Sequence, residues 1–280
     1  MLRKLLTPVI RMLAPFVGKG WGNTQVGYIV FPIFWKIFGD NRDVETLEGI
    51  FIDVKEAGPF MSAILASTKT YEPLETQLFK SYLKEGMIVA DVGADIGWYS
   101  LIASKVVGSK GKVYAFEPLP ASYENLLRNI ELNKCTNIIP IRKAVSNKEG
   151  TARLHLGWHN AEMSSLAKVG KKFIEVETTR LDSYSDKFDI IKMDIEGAEP
   201  LAFDSLVNIP KALFTEFQPR RLIQLGFSPE EFLKCLQKYF DIKVLNSKTR
   251  KIKIVTQYRD IEESIIGSDT NLFCIRKEAK

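Results

Sequence analysis

Hydrophobic and polar positions along the chain alternate between two periods. Short apolar runs at Ile88–Val92, Lys112–Phe116, Ile138–Ile141, 188–193 and 213–217 predict buried strands. Between them, 71–86, Trp98–Val107 and about 121–132 carry apolar residues every three or four positions, which predicts helices, the first ending at Gly86. Strand and helix in turn give an α/β fold with a parallel sheet. Residues 151–156 and 173–178 alternate and predict two more strands joined by a long loop. A helix over 228–240 opens with a Ser-Pro-Glu-Glu cap, and 242–245, 251–256 and 271–276 are expected to complete the sheet.

The N-terminal part has a different pattern. Over 1–17, Leu2, Leu5, Leu6, Val9, Met12, Leu13 and Phe16 recur at helical spacing, with Arg3, Lys4, Thr7 and Arg11 on the other side. A second apolar block, 26–38, is too short to span a bilayer and contains Lys36. Arg11 interrupts what would be the apolar core of a signal peptide. Residues 1–40 are therefore expected either to lie on a membrane surface or to pack on the domain or a second subunit. The chain divides into an N-terminal extension, 1–70, and a domain, 71–280. The expected location is cytoplasmic, with peripheral contact at the inner face of the membrane.

Composition narrows the chemistry. Of 280 residues, 45% are hydrophobic and 26% charged, which are ordinary globular values. Three cysteines far apart in sequence favour a reducing compartment. Two histidines exclude a histidine-rich metal site and no metal ligand is assigned, while Asp194, Glu196, Glu199 and Glu216 could supply oxygen ligands to a divalent ion, so metal dependence stays open. Most of the net charge of +5 lies in 1–43, where six basic residues face two acidic ones.

The stretch IVADVGADIGWY, residues 88–99, reads strand, glycine turn, helix. Its glycines let backbone approach a ligand at the strand's carboxyl end. Their spacing is G-x-x-x-G, without the pyrophosphate-binding G-x-G-x-x-G. Glu117, at the end of the next strand and 20 residues after Gly97, is placed to accept ribose hydroxyls. A nucleoside without a pyrophosphate fits, which points to S-adenosyl-L-methionine. A third stretch, IIKMDIEGAE, puts Lys192, Asp194, Glu196 and Glu199 within eight residues after a buried strand. Alternation sends Lys192 and Asp194 to one side of that strand and Met193 to the other. Methyl transfer to a hydroxyl needs short-range alignment and removal of the hydroxyl proton, which a carboxylate of raised pKa can accept.

DVGADIGWYSL, VYAFEPLPASYENLLRNIELN and IIKMDIEGAE, in this order, resemble the FkbM-type S-adenosylmethionine-dependent methyltransferases, from about residue 71 to about residue 218. The resemblance implies a Rossmann-like class I methyltransferase. That is a doubly wound, mostly parallel seven-stranded sheet, here with a mainly helical N-terminal extension. It implies cofactor contacts at Asp91, Gly93, Ala94, Asp95, Gly97, Trp98, Tyr99, Glu117 and Pro118. Ala144, Val145 and Ser146 would lie beside the adenine, and Asp194 near the methionine moiety. Glu196 would be base or acceptor-orienting group, with Lys192 orienting both carboxylates. Asp95 stands where the family usually has asparagine.

The implied reaction is O-methylation of a hydroxyl on a sugar, glycan or other polyhydroxylated acceptor. In the long loop Trp158 offers a surface for a sugar ring and His159 a base. Glu216 offers an acceptor-site carboxylate, and Arg220 an anion contact. Tyr71 and Glu72 stand where the helix before the first strand could meet the ligand. Two alternatives stay open: methylation of RNA, and a cofactor-binding or membrane-docked scaffold. Nucleic acid is disfavoured, because amino-group methyltransferases carry Asn/Asp-Pro-Pro-aromatic where this chain has DIEGAE and because the crevice is acidic. Oligomeric state stays open.

Overall fold

The computed structural model describes residues 43–54, 59–156, 164–166, 172–246, 251–262 and 270–278. The readings made for 1–42 and for Trp158 and His159 fall outside these residues. Strands β1 (Asp43–Glu45) and β2 (Phe51–Asp53) form an antiparallel hairpin, followed by helices α1 (Pro59–Thr68) and α2 (Pro73–Tyr82). Two β-α steps and a third strand follow: β3 (Ile88–Val92), α3 (Trp98–Val107), β4 (Lys112–Phe116), α4 (Pro120–Leu132) and β5 (Ile138–Ile141). Next come β6 (Ala144–Val145), β7 (Gly150–His155) and β8 (Phe173–Thr179), then β9 (Ile190–Met193), α5 (Glu199–Asp204) and β10 (Ala212–Phe217). The chain continues through α6 (Pro219–Gln224), α7 (Pro229–Tyr239), β11 (Phe240–Asn246), β12 (Lys251–Ile254), α8 (Tyr258–Glu262) and β13 (Thr270–Arg276).

The central sheet has the order β12-β11-β13-β10-β9-β3-β4-β5. From β5 to β10 every pairing is parallel, whereas β13 runs antiparallel to both its neighbours. The sheet thus has eight strands where seven are expected. The eighth, β12, folds back antiparallel on β11 and forms the edge. The chain moves outward from β3 to β5, then crosses back to β9 on the other side of β3. Ligands bind at such a reversal of strand order in open α/β sheets.

Alternation along the strands feeds two cores. Val89 and Ile190 face one, built with Leu65 of α1, Phe79 of α2 and Leu101 of α3. Ala90, Val92, Ile191 and Met193 face the other, built with Phe203, Leu222 and Leu236. Phe79 packs edge-on against Tyr99 of α3 at 5.1 Å and Phe214 of β10 at 5.3 Å. Truncating a buried phenylalanine of this kind costs about 3–5 kcal/mol, so this contact holds α2 over the sheet.

Two local expectations change. Helix α2 stops at Tyr82 with Leu83 extended at its cap, and does not run to Gly86. Gly86, at φ 78°, instead turns the chain so that its N–H meets Val107 O at 2.8 Å. Within the described part of 1–70 the structure is a hairpin and one helix rather than mainly helix. The hairpin lies along α4, where Asn129 and Asn133 accept from the Asp53 and Phe51 backbone N–H groups at 2.8 Å each. Val44, Ile52, Met61 and Leu65 share the core of the following domain, so the boundary expected near residue 70 falls inside continuous packing.

Candidate active site

The turn after β3 forms the floor of the site. Gly93 and Ala94 donate to Phe116 O, each at 2.9 Å, which ties the turn to the end of β4. Gly93 has φ 85°, and a Cβ there would lie 1.9 Å from Asp194 O. A side chain is therefore excluded by backbone at the point where β3 and β9 end side by side. Gly97, at φ 90°, opens α3, and its own Cβ position is filled by Leu126 at 2.6 Å.

Glu117 sits across this turn with both carboxylate oxygens oriented. Oε2 accepts from Asp95 N at 2.9 Å, and Oε1 from Leu119 N at 2.8 Å. Burial, reinforced by the charge of Asp95, pushes its pKa up to about 8 despite these two donors. Asp95 itself, at φ 45°, accepts from Ser122 Oγ at 2.8 Å. Burial raises its pKa as well, against the opposing hydrogen bond from Ser122. The carboxylate that replaces the expected asparagine is thus held by α4 and lines the cavity.

The far wall comes from β9 and the loop after it. Lys192 is almost completely buried, and its Nζ lies 3.1 Å from Asp194 Oδ2 and 5.1 Å above the ring of Tyr99. Burial opposes its charge, but Asp194, Glu72 and Glu216 outweigh that and hold its pKa above the ordinary lysine value. Asp194 shows the reverse balance. Its recessed position favours the neutral form, yet Lys192 and a hydrogen bond with Glu216 lower its pKa.

Glu196, at φ 55°, accepts from Gln218 Nε2 at 2.8 Å, with Arg221 Nε 3.7 Å away. Burial and the charge of Asp194 push it up to about 8. Oxygens of Asp194, Glu196 and Glu216 lie within 4.8 Å of one another, a spacing at which a cation could bind. The cations of Lys192 and Arg221 already stand against this group. Glu199 is buried, and its Oε1 accepts from Ile195 N at 3.1 Å and Gly197 N at 3.2 Å. It shapes the loop that presents Glu196.

These walls line one cavity that opens to solvent. Gly93, Ala94, Asp95, Trp98, Tyr99, Glu117, Pro118, Ala144, Val145, Asp194 and Glu196 line it together. Asp91, Gly97, Ser146, Lys192 and Glu216 do not. Asp91 lies behind the floor and accepts from Ser100 Oγ at 2.6 Å, fixing the first turn of α3. Ser146 donates its N–H to Thr179 O at 2.8 Å within the small sheet β6-β8-β7. Tyr71 reaches the cavity, whereas Glu72 is spent on the Tyr99 hydroxyl at 2.6 Å.

Several wall residues have no signal in the linear motifs. Leu154, Ser164 and Leu166 come down from the β7–β8 hairpin as a roof. Gln218 and Arg221 are not in the wall but hold Glu196, and they come from the start of α6. Arg220 is exposed, so the arginine beside the carboxylates is its neighbour. Pro219, the first residue of α6, is the signal that sets this phase.

A crossover of strand order, an acidic residue over a glycine turn and an acidic loop after the fourth parallel strand define a Rossmann-like methyltransferase whose cofactor is S-adenosylmethionine. The family profile described as "Methyltransferase FkbM domain" matches residues 91–256, and the chain belongs to that family. Hexuronic acid methyltransferase AglP of Haloferax volcanii is 25% identical over 195 residues, covering 67% of this chain and 73% of that protein. A tRNA(Phe) (4-demethylwyosine(37)-C(7)) aminocarboxypropyltransferase of Methanocaldococcus jannaschii is 38% identical over 78 residues, 26% of this chain and 30% of its own length. Among solved structures, an S-adenosylmethionine-dependent O-methyltransferase of Thermotoga maritima superposes with a TM-score of 0.43 at 15% identity. It covers 75% of this chain and 67% of its own.

Proposed function

We propose that the enzyme methylates a hydroxyl oxygen of a sugar, uronic acid or other polyhydroxylated acceptor. The observation that carries this reading is the carboxylate of Glu196. It stands in the cavity wall beside Asp194, with a pKa pushed up to about 8. A group that titrates near neutral pH is suited to take a hydroxyl proton. The similarity to a hexuronic acid methyltransferase supports the same acceptor class.

The cofactor, when bound, supplies an electrophilic methyl group on a positively charged sulfonium. Glu117 accepts the ribose hydroxyls with lone pairs left over from its two backbone donors. Asp194, held ionised by Lys192, places negative charge at the cationic end of the cofactor. Lys192 does not reach the cavity and acts as a positioning residue through Asp194. Glu196 takes the proton from the acceptor oxygen as that oxygen gains the methyl group. The products are a methyl ether, S-adenosylhomocysteine and protonated Glu196.

Labelled methyl transfer to a panel of methyl glycosides and glucuronosides tests the reading. Glu196→Gln should lower kcat by about 10²–10⁴, the usual contribution of a general base, with little change in affinity for S-adenosylhomocysteine. Full turnover by that variant would remove Glu196 from the chemistry. From the sequence of 1–40 we further propose peripheral membrane contact. No helix among the described residues is long and apolar enough to cross a membrane. Co-sedimentation of the full chain with anionic liposomes is the test, and protein left in the supernatant would oppose it.

A further inference from the structure

The roof of the cavity carries a polar group that the chemistry above does not use. Ser164 lines the cavity, and among the described residues its buried Oγ has no hydrogen-bonding partner. A buried hydroxyl left unpaired is costly, so its neighbours must hold it in place. Ser165 does so with three hydrogen bonds. Its N–H donates to His155 O at 2.9 Å, its carbonyl accepts from His155 N at 2.8 Å, and its Oγ donates to Glu196 O at 2.6 Å. The roof is therefore latched to the very residue placed above as the base. On the other side of the latch, Leu166 packs with the apolar group of Leu119, Ala144 and Leu154. Ser164 is thus set one residue from the Glu196 loop, and the apolar side chain is the one turned toward the wall expected to hold the adenine.

We propose that Ser164 is a specificity-determining residue for the acceptor. Its hydroxyl bonds a second hydroxyl of the same molecule whose reacting oxygen faces Glu196, so the site selects polyols over simple alcohols. A serine hydroxyl both donates and accepts, which suits a sugar hydroxyl of either hydrogen-bonding sense. This inference rests on the acceptor reading above.

The test is calorimetric titration of methyl β-D-glucuronoside and methyl β-D-glucoside into the complex with S-adenosylhomocysteine, for wild type, Ser164→Ala and Ser164→Thr. The alanine variant should bind the glycosides about tenfold more weakly, the value of one hydrogen bond, and S-adenosylhomocysteine within twofold of wild type. Threonine, which keeps the hydroxyl, should restore most of the loss. Unchanged glycoside affinity in the alanine variant overturns the proposal. So does a loss confined to S-adenosylhomocysteine, which would put Ser164 on the cofactor. A wild-type complex that binds neither glycoside refutes the proposal together with the sugar reading. Wild-type protein that binds no S-adenosylhomocysteine refutes the reading of the site itself.

Discussion

Lys192 Nζ lies 3.1 Å from Asp194 Oδ2, and the two residues differ sharply in exposure, with 4% of the lysine side chain accessible and 38% of the aspartate's. The pair therefore joins the buried underside of the sheet to the cavity. Its cation is shared, since Glu72 and Glu216 also hold Lys192 charged. Replacing it removes the one charge that keeps Asp194 ionised from below.

Lys192→Met should accordingly destabilise the protein by about 3 kcal/mol, the low end for breaking a buried pair, because Asp194 keeps some solvent. Urea unfolding reads the change, and an unaltered midpoint would show that the ammonium is not the keystone of this cluster. The pKa of Asp194 should rise in the same variant.

Stability should fall with pH across the neutral range. Burial pushes Asp91 up to about 6, Glu72 and Glu199 up to about 7, and Glu117 and Glu196 up to about 8, from 3.8 for aspartate and 4.5 for glutamate. Between the unfolded and folded values the native state holds more protons than the unfolded chain. Stability therefore decreases as pH rises through this window. Asp182, Asp189 and Asp194 have lowered values, so the stability they add is present above the ordinary aspartate pKa and lost below it. The cofactor-free protein should melt highest near about pH 5 and progressively lower toward about pH 8. Scanning fluorimetry across this range checks it, with Glu117→Gln flattening the slope. A melting point that rises from pH 5 to 8 would contradict the assignment.

Gly93→Ala should abolish binding of S-adenosylhomocysteine. The new Cβ would meet the carbonyl of Asp194 at 1.9 Å, and φ is 85°, so the turn must move away from both β9 and Glu117. Calorimetry on a folded variant is the measurement. Retained affinity would mean that the turn relaxes without disturbing the cofactor.

The strand pattern, the glycine turn and the acidic loop are legible in the sequence because each depends on a few adjacent residues. What escapes depends on phase or on distant contacts. Asp91 follows Val89 on the strand face that packs toward α3, and it pairs in register with Lys192, so alternation turns both away from the cavity. Counting that alternation from Val89 would have shown it. Arg221 replaces Arg220 for a similar reason, one step of helical phase after Pro219. Ser164 had no such signal. It belongs to the connection between β7 and β8, which meets Glu196 across 31 residues of sequence through a bond made by its neighbour. The helix expected up to Gly86 stopped short because Leu83 is drawn into the core.

Arg221 gives the sharpest test of how Glu196 is tuned. Burial and the charge of Asp194 raise the pKa of Glu196, while the hydrogen bond from Gln218 and the charge of Arg221, with its Nε 3.7 Å away, lower it. Arg221→Met keeps the bulk that packs against Gly197, whose Cβ position lies 2.4 Å from Arg221 Cβ, and removes only the charge. The pKa of Glu196 should then climb further above 8. In a profile of kcat against pH, the rising limb should move upward by about one unit, the low end for loss of a neighbouring opposite charge. Near neutral pH the variant should be slower by up to about tenfold, yet approach the wild-type rate above the shifted pKa. A merely structural arginine would lower the rate equally at every pH. An arginine that contacts the acceptor would raise KM and leave the limb in place. A limb that moves with KM unchanged would identify Glu196 as the titrating base and Arg221 as the residue that sets it.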